Sequence, residues 1–194
     1  MSEDKPTDGE IAQWVQQQIA SHLETVQYSD VAIPKFMSLG FHGRVLELGC
    51  NISPWYPLFM KLGVEYCGVD HYETILQSAR AFFRSHHLQG GNFLRCRAQC
   101  MPFPSECFDY VFSPGFLRNF PNQRKPEATG EIRRVLKKDG FLIINEYRYP
   151  APYPVQATDG RSFTLAGWEN FDSDFRCISN TETLPFLVFR DSSR

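Results

Sequence analysis

The stretch VLELGCNISPWYPLFMKLG, residues 45–63, reads as a buried strand that runs through a turn into a helix. Turns of this kind usually repeat glycine, because only a residue without Cβ lets the backbone approach a ligand closely. Here Gly49 is followed at the alternate positions by Asn51 and Ser53. The stretch therefore predicts a ligand-binding turn in which side chains stand where bare backbone is usual.

Both replacements are compatible with a turn. Asparagine tolerates a positive φ better than most residues, so Asn51 should still allow the chain to reverse direction. Ser53 followed by Pro54 favours a helix start, with Ser53 as the N-cap and Pro54 at the first helical position. We therefore expect the turn to form and a helix to follow it at once.

Outward from this stretch, strand-like and helical patterns alternate along the chain. The expected strands are short runs rich in β-branched or aromatic residues, at 44–48, 65–70, 93–98, 109–113 and 141–147. The helical patterns between them lie at 54–62, 72–87 and 126–138. The last of these closes on Asp139-Gly140, which is a helix stop. Alternation at this spacing implies a parallel sheet that is covered by helices on both faces.

The end of the chain departs from this alternation. FRCISN, residues 175–180, and LPFLVFR, residues 184–190, are separated by too few residues for a crossover helix, so these two strands should be antiparallel. The sequence therefore predicts an α/β fold: a doubly wound seven-stranded sheet, mainly parallel, with an antiparallel last strand inserted between its two predecessors.

One domain accounts for the length of 194 residues, and a hydrophobic content of 42% is enough for a proper core. Apolar residues recur at helical spacing between Ile11 and Leu23, and Thr7 with Glu10 forms a capping box. We therefore assign residues 1–40 to an N-terminal helix and a connection that packs on the core, and residues 41–194 to the domain itself.

Charge and hydropathy exclude some classes of partner. The 20 basic and 22 acidic residues form no long block of either sign, so no nucleic-acid partner is expected. No stretch approaches the ~18 consecutive apolar residues of a membrane-spanning helix, and the polar start MSEDKPTDGE is unlike a signal peptide. We expect a cytoplasmic protein without membrane attachment.

A metal site is not expected. The six cysteines include no C-x-x-C pair, and we interpret them mainly as small buried hydrophobic residues. His86-His87 ends a helical pattern, where the helix dipole favours histidine without any metal.

The candidate binding residues follow the strands, because ligands of a doubly wound sheet bind beyond the carboxyl ends of its strands. Glu47 lies near the end of the first expected strand, and Asp70 ends the second. A carboxylate at the latter position can accept hydrogen bonds from a ribose diol, although it can also cap the following helix. Both residues are therefore candidates for nucleotide binding.

The middle of the chain resembles the class I S-adenosylmethionine-dependent methyltransferases, in particular those of methyltransferase type 11. MPFPSECFDYVFS, residues 101–113, is similar to the LPF…SFD signature of that family, and GEIRRVLKKDGFL, residues 130–142, to its REIxRVLKPGG segment. The resemblance is dense over residues 43–146 and thinner over 165–189. It implies the Rossmann-like class I methyltransferase fold, with S-adenosyl-L-methionine as the cofactor.

Positions that match the family imply a set of cofactor-binding residues: Glu47, Gly49, Cys50, Asn51, Asp70, His71, Ala98, Gln99 and Ser113. Glu47 would hold the methionine amino group, and the cofactor would lie over Gly49. Asp70 would bind the ribose, with His71 packed on the adenine. The remaining members of the set belong to the turn, to the other adenine face and to the end of the fourth strand, beneath the sulfonium.

Two departures from the family pattern stand beside these matches. The glycine loop E/D-x-G-x-G-x-G is degenerate here, since its second and third glycines are Asn51 and Ser53. Arg97 occupies a position where the family often has an aspartate that accepts a hydrogen bond from the adenine amino group. Arginine only donates, so the carbonyl of Gln99 would have to accept that bond.

Two hypotheses follow for the function. Methyl transfer requires proximity, alignment and exclusion of water, with a base only when the nucleophile must lose a proton, so the sequence assigns no catalytic residue. The first hypothesis is an S-adenosylmethionine-dependent methyltransferase acting on a small-molecule or protein acceptor. The alternative is a catalytically inactive, methyltransferase-like binding or scaffold module. The two lost glycines and Arg97 support this alternative. Neither the acceptor nor the oligomeric state is predicted.

Overall fold

A computed structural model of the chain describes residues 40–53, 55–85, 87, 91–117, 125–145, 155–156, 162–163, 175–180 and 186–191. The expected N-terminal helix lies outside these ranges. Strands within them are β1 (Arg44–Leu48), β2 (Glu65–Asp70), β3 (Asn92–Arg95), β4 (Phe108–Pro114), β5 (Leu136–Asn145), β6 (Val155–Gln156), β7 (Ser162–Phe163), β8 (Phe175–Asn180) and β9 (Phe186–Asp191). The helices are α1 (Tyr56–Lys61), α2 (Glu73–Ser85) and α3 (Lys125–Val135).

The main sheet has the strand order β3-β2-β1-β4-β5-β9-β8. Strands β1 to β5 pair in parallel. Strand β9 is antiparallel both to β5 and to β8, between which it lies, and β6 and β7 form a separate small hairpin. The doubly wound α/β fold predicted from the sequence is confirmed. Strand order reverses between β1 and β4, so a ligand crevice is expected at their carboxyl ends.

Each face of the sheet is buried under helices, because side chains along a strand alternate between the two faces. One face packs on α3 through a cluster that includes Leu46, Leu48, Val69, Val111, Ala128, Ile132 and Ile144. The other packs on α1 and α2 through a largely aromatic cluster that includes Val45, Phe59, Tyr66, Phe83, Tyr110 and Phe112. Burial of both faces explains why the central strands read as continuous apolar runs.

Helix α3 ends at Val135, three residues before the expected Lys138. Leu136 already pairs with Phe108 of β4, and the next pair in the ladder is Tyr110 with Phe141, so residues 137–140 bulge out of the ladder. A Cβ on Gly140 would lie 3.0 Å from two backbone carbonyl oxygens, so a side chain here would force its neighbours to shift. The expected stop at Asp139-Gly140 is therefore wrong, because strand pairing ends the helix first.

Polar contacts join α3 to the segment that follows β3. Arg134 donates to the carbonyl oxygens of Met101, at 2.9 Å, and Phe103, at 2.6 Å. Glu131 accepts from the amide of Met101 at 2.8 Å and from the guanidinium of Arg134 at 2.6 and 2.9 Å. The two family-like segments of the sequence are thus held against each other.

The cysteines divide by burial. Cys50 and Cys67 are buried, as the sequence predicts, whereas Cys100 is exposed, so the interpretation as a buried hydrophobic residue is wrong for it. No helix in the part of the chain that the structure describes is long and apolar enough to cross a bilayer.

Candidate functional site

The turn after β1 keeps a backbone suited to glycine in spite of its composition. Gly49, Asn51 and Ser53 have φ angles of 62°, 54° and 53°. A left-handed conformation costs about 1–2 kcal/mol for most residues with a side chain, and asparagine bears it better than others. The prediction that Asn51 tolerates a positive φ is confirmed, and Ser53 adopts one as well. All three positions that the family fills with glycine are therefore left-handed here.

Hydrogen bonds tie this turn to the end of β2. The amide of Asn51 donates to Asp70 Oδ2 at 3.2 Å, and the amide of Cys50 donates to the carbonyl of Val69 at 3.0 Å. Within the turn, Asn51 Oδ1 accepts from the amide of Ile52 at 2.7 Å. Asn51 thus satisfies backbone groups that would otherwise need water, and its side chain helps to keep the turn closed.

Ser53 does not cap a helix. Helix α1 begins at Tyr56, and the Ser53 hydroxyl instead donates to Glu47 Oε2 at 2.9 Å. It also lies 2.6 Å from the hydroxyl of Tyr66, which donates to the same Glu47 oxygen at 2.6 Å. The N-cap prediction is wrong because a buried carboxyl group, six residues earlier in the chain, engages the Ser53 hydroxyl.

Glu47 is buried without a cationic partner among the described residues. Its exposed fraction is 0%. Burial raises the pKa of its carboxyl group to about 8, and the charge of Asp70 adds to this rise. The hydrogen bonds from Tyr66 and Ser53 lower the pKa but do not offset the effect of burial. Its second oxygen, Oε1, is buried and has no hydrogen-bond partner in the described part of the chain. Glu47 therefore carries a proton at neutral pH and presents an unused oxygen.

Gly68 makes room for this arrangement. It pairs with Glu47 across the β1–β2 ladder, so no side chain stands opposite the carboxyl group. A Cβ on Gly68 would lie 2.5 Å from the Tyr66 hydroxyl and 2.9 Å from Cys50 Sγ. Glycine at this position therefore allows the Tyr66 hydroxyl to reach Glu47.

Asp70 holds two chain segments at the end of β2. Besides the amide of Asn51, it binds the amide of Tyr72 through Oδ1 at 3.1 Å. Helix α2 begins at Glu73, so Asp70 lies ahead of the N-cap position and the capping alternative does not hold. Burial raises the pKa of Asp70, and the amide hydrogen bonds partly offset that rise. A carboxylate offers about four lone-pair sites, so Asp70 retains acceptor capacity.

The residues expected around adenine differ in accessibility. His71 is exposed, and its ring lies 5.2 Å from that of Tyr72. Gln99 is half-buried, whereas Ala98 is buried in the core cluster that packs on α3. Arg97 is exposed, and its carbonyl accepts from the amide of Cys100 at 3.0 Å.

Ser113 lies on the opposite face of the sheet from Glu47. Glu47 pairs with Phe112, and the next residue, Ser113, points to the other side because side chains alternate along the strand. Ser113 is 0% exposed, and its hydroxyl has no hydrogen-bond partner among the described residues. The structure thus brings Glu47, Asn51 and Asp70 together and leaves Ser113 apart from them.

Sequence reasoning missed three participants. Tyr66 and Gly68 belong to β2, and the only signal for them was a polar hydroxyl and a glycine in an otherwise apolar run, EYCGVD. Phe116 follows β4 and contacts the turn after β1. A Cβ on Gly49 would overlap the Phe116 ring, so the ring packs directly on the glycine of the turn.

Comparison with known proteins agrees with the resemblance seen in the sequence. A family model described as a methyltransferase domain matches residues 46–144, about half of the chain. The uncharacterized methyltransferase YcgJ of Bacillus subtilis is 30% identical over 105 residues, which are 54% of this chain and 41% of YcgJ. The ubiquinone/menaquinone biosynthesis C-methyltransferase UbiE of Bordetella avium is 38% identical over 73 residues, 38% of this chain and 28% of UbiE.

Among solved structures, a putative S-adenosyl-L-methionine-dependent methyltransferase from Methanococcus maripaludis superposes with a TM-score of 0.62 at 18% identity, over 75% of this chain and 67% of that one. This likeness concerns the fold. The chain spans less than half the length of the curated relatives it matches. With the family model running from within β1 to within β5, the chain belongs to the methyltransferase domain family.

Proposed function

We propose that this chain transfers a methyl group from S-adenosylmethionine to a small-molecule or protein acceptor. The observation that carries the proposal is the turn of Gly49, Asn51 and Ser53, which is left-handed at all three positions although two of them are not glycine. Strained backbone persists only where the surrounding structure enforces it, and it concentrates at binding sites. Retention of this backbone weighs against the alternative of an inactive scaffold, which has no need of it.

The residues of the turn and of β2 fit the cofactor. The ammonium group of S-adenosylmethionine requires an acceptor, and Glu47 Oε1 is a buried acceptor with no partner among the described residues. The ribose diol requires acceptors too, and Asp70 keeps lone pairs for it. We therefore assign the ammonium to Glu47, the ribose to Asp70 and the close backbone approach to Gly49.

The remaining members of the set keep narrower proposed roles. Cys50 and Asn51 would shape the turn through their backbone, and His71 and Gln99 would flank the adenine. Ser113 stands at the end of β4 with a hydroxyl that lacks a partner in the described part of the chain, which suits a position beneath the sulfonium. Ala98 is buried in the core, so its contribution would be to support the adenine side rather than to contact it.

When bound, the cofactor supplies a methyl group on an already activated sulfonium carbon. The chain's own contribution is to hold the two reactants in line and to exclude water, effects that in well-aligned systems supply about 7–11 kcal/mol of the barrier. No residue needs to act as a base unless the acceptor must lose a proton. This explains why no catalytic residue is assigned.

Calorimetric titration with S-adenosylmethionine and S-adenosylhomocysteine tests the proposal. We expect both to bind, and Asp70→Ala to weaken binding by roughly 1.5–3 kcal/mol, the range for lost charge-assisted hydrogen bonds. Asp139→Ala is the matched control, because Asp139 is an exposed carboxylate in the bulge at the other end of the sheet. Failure of the folded natural protein to bind either compound would contradict the proposal, and equal losses in the two variants would remove Asp70 from the site.

A further inference from the structure

We propose that Ser53 and Tyr66 are positioning residues that hold Glu47 for the cofactor ammonium, and that binding of the cofactor expels a proton from Glu47. The inference rests on the proposed function, since the ammonium belongs to S-adenosylmethionine. It gives a role to the serine that replaces the third glycine of the loop.

Three buried oxygen atoms form the centre of this arrangement. Glu47 Oε2 accepts from the Ser53 hydroxyl at 2.9 Å and from the Tyr66 hydroxyl at 2.6 Å, and these two hydroxyls are 2.6 Å apart. All three residues are at most 1% exposed. Because both donors converge on one oxygen, they fix the rotation of the carboxyl group and leave Oε1 for another partner.

The surroundings of Glu47 favour its neutral form when no cofactor is bound. The titratable groups that act on it are Tyr66 from β2, Asp70 from the end of β2 and Cys50 from the turn, and none of these is a cation. A buried carboxylate without a cation is strongly disfavoured, so the group keeps a proton. Oε1 has no hydrogen-bond partner among the described residues, so it is the oxygen that remains for a ligand.

An ammonium group at Oε1 changes this balance. It supplies the missing cation at the one oxygen that has no partner in the described part of the chain, so the carboxyl group ionises and its proton leaves to the buffer. The free protein then binds one proton more than the complex does. Affinity should therefore rise about tenfold per pH unit and level off near the pKa of Glu47 in the free protein, about 8.

Ser53 and Tyr66 make it easier for Glu47 to ionise. Their hydrogen bonds lower the pKa of Glu47 and so oppose the effect of burial. Removal of either hydroxyl should therefore weaken cofactor binding and move the pH at which affinity levels off to a higher value. A purely structural contribution would lower stability without moving that pH.

The test is calorimetry with S-adenosylhomocysteine at about pH 6.5, in phosphate and in Tris, two buffers that take up a proton with different enthalpies. We expect release of about one proton on binding. 5′-Methylthioadenosine, which has the nucleoside but no ammonium group, should bind more weakly and release none. This ligand pair separates ionisation of Glu47 from every other change that accompanies filling of the nucleoside site.

Variants locate the effect. Tyr66→Phe and Ser53→Gly should each weaken S-adenosylhomocysteine binding by about tenfold and raise the pH of the plateau. Gly68→Ala should do the same, because its Cβ would displace the Tyr66 hydroxyl. Tyr110→Phe is the matched control: Tyr110 is an equally buried tyrosine on the same sheet face, but its hydroxyl donates to the carbonyl of Gly40 at 3.2 Å. It should bind like the natural protein.

The outcomes separate the two proposals. Binding of S-adenosylhomocysteine with no proton release, or an unchanged pH profile in folded Tyr66→Phe, would overturn this inference and leave the proposed function standing. No binding by the natural protein would overturn both. If Tyr66→Phe fails to fold, Glu47→Gln decides the matter: the uncharged amide should bind with no proton release, and release of a proton by this variant would refute the assignment to Glu47.

Discussion

Carboxyl groups at the two ends of the sheet have pKa values shifted in opposite directions. At the amino end, Asp109 accepts from Lys137 Nζ and from the amide of Arg44, both at 2.8 Å. Burial raises the pKa of Asp109, but these contacts outweigh it and the pKa falls below its ordinary value. At the carboxyl end, Glu47 has only hydroxyl partners among the described residues, and its pKa rises to about 8. The same sheet thus carries one carboxyl group that is paired with a cation and one that has no cationic partner among the described residues.

The difference indicates which end is built for a ligand. Asp109 and Lys137 form an ion pair, so the charge of the carboxylate is already compensated in the folded protein. Glu47 and Asp70 lie at the other end with no lysine, arginine or histidine ion pair among the described residues. S-adenosylmethionine carries two positive groups, the sulfonium and the ammonium. Glu47 and Asp70, which form no ion pair among the described residues, are complementary to such a ligand.

The largest expected effect concerns the pH dependence of stability. Glu47 ionises above 4.5 when unfolded and near 8 when folded, so the natural protein loses stability as pH rises between these values, and Glu47→Gln does not. The free energy of unfolding of Glu47→Gln relative to the natural protein should therefore rise by up to about 4 kcal/mol between pH 5 and pH 8. Urea unfolding at several pH values measures this.

Asp109→Asn provides the opposite case at the amino end. In the natural protein the pKa of Asp109 lies below the ordinary value. The stability that ionised Asp109 contributes is therefore present above the ordinary pKa and is lost as pH falls through the native pKa. The variant should cost about 1 kcal/mol, unchanged from pH 5 to pH 8, and the cost should vanish in acid. A parallel pH dependence of the two variants would erase the contrast between the ends.

Two glycines, one at each end of the sheet, allow the two ends to be compared by side-chain packing. Gly49, at the carboxyl end, and Gly63, just before β2 at the amino end, both have positive φ, 62° and 67°. A Cβ on Gly63 meets nothing within 4 Å, whereas a Cβ on Gly49 would overlap Phe116. Gly49→Ala should destabilise by about 3 kcal/mol and Gly63→Ala by about 1 kcal/mol, the strain of the left-handed backbone alone.

Thermal or urea unfolding of the two alanine variants, with S-adenosylhomocysteine titration, separates these contributions. Gly49→Ala should also lose most of its ligand affinity, and Gly63→Ala should keep it. Combining Gly49→Ala with Phe116→Ala should recover part of the stability if the ring causes the loss. Equal effects at Gly49 and Gly63 would show that only backbone strain matters.

The sequence could predict what depends on neighbours in the chain. Alternation of strands and helices predicted the doubly wound fold, and the chemistry of asparagine predicted the positive φ of Asn51. Ser53 was misread because its partner is set by strand register: Tyr66 reaches Glu47 only because Gly68 stands opposite that carboxyl group. The contacts of Tyr66 with Ser53 and Glu47 join residues 13 and 19 positions apart and leave no local pattern.

The loop itself gives a further test of the carboxyl end. Asn51→Gly/Ser53→Gly restores the family pattern and relieves backbone strain, but it removes the bonds from Asn51 Oδ1 to Ile52 and from Ser53 to Glu47. We expect S-adenosylhomocysteine affinity to fall by about tenfold, about 1.4 kcal/mol, as for Ser53→Gly alone. A tenfold gain would mean that these side chains obstruct the site, and it would favour the scaffold alternative.

Contacts between α3 and the segment after β3 have a consequence for motion. Arg134 and Glu131 make three hydrogen bonds to the backbone of Met101 and Phe103, and α3 passes into β5 without an intervening loop. Local unfolding of α3 would therefore free the segment beside Gln99. That segment would in turn stay ordered for as long as α3 remains folded. Amide hydrogens of Met101 and of α3 should exchange with solvent deuterium at matched rates, as one cooperative unit assembled from distant parts of the chain.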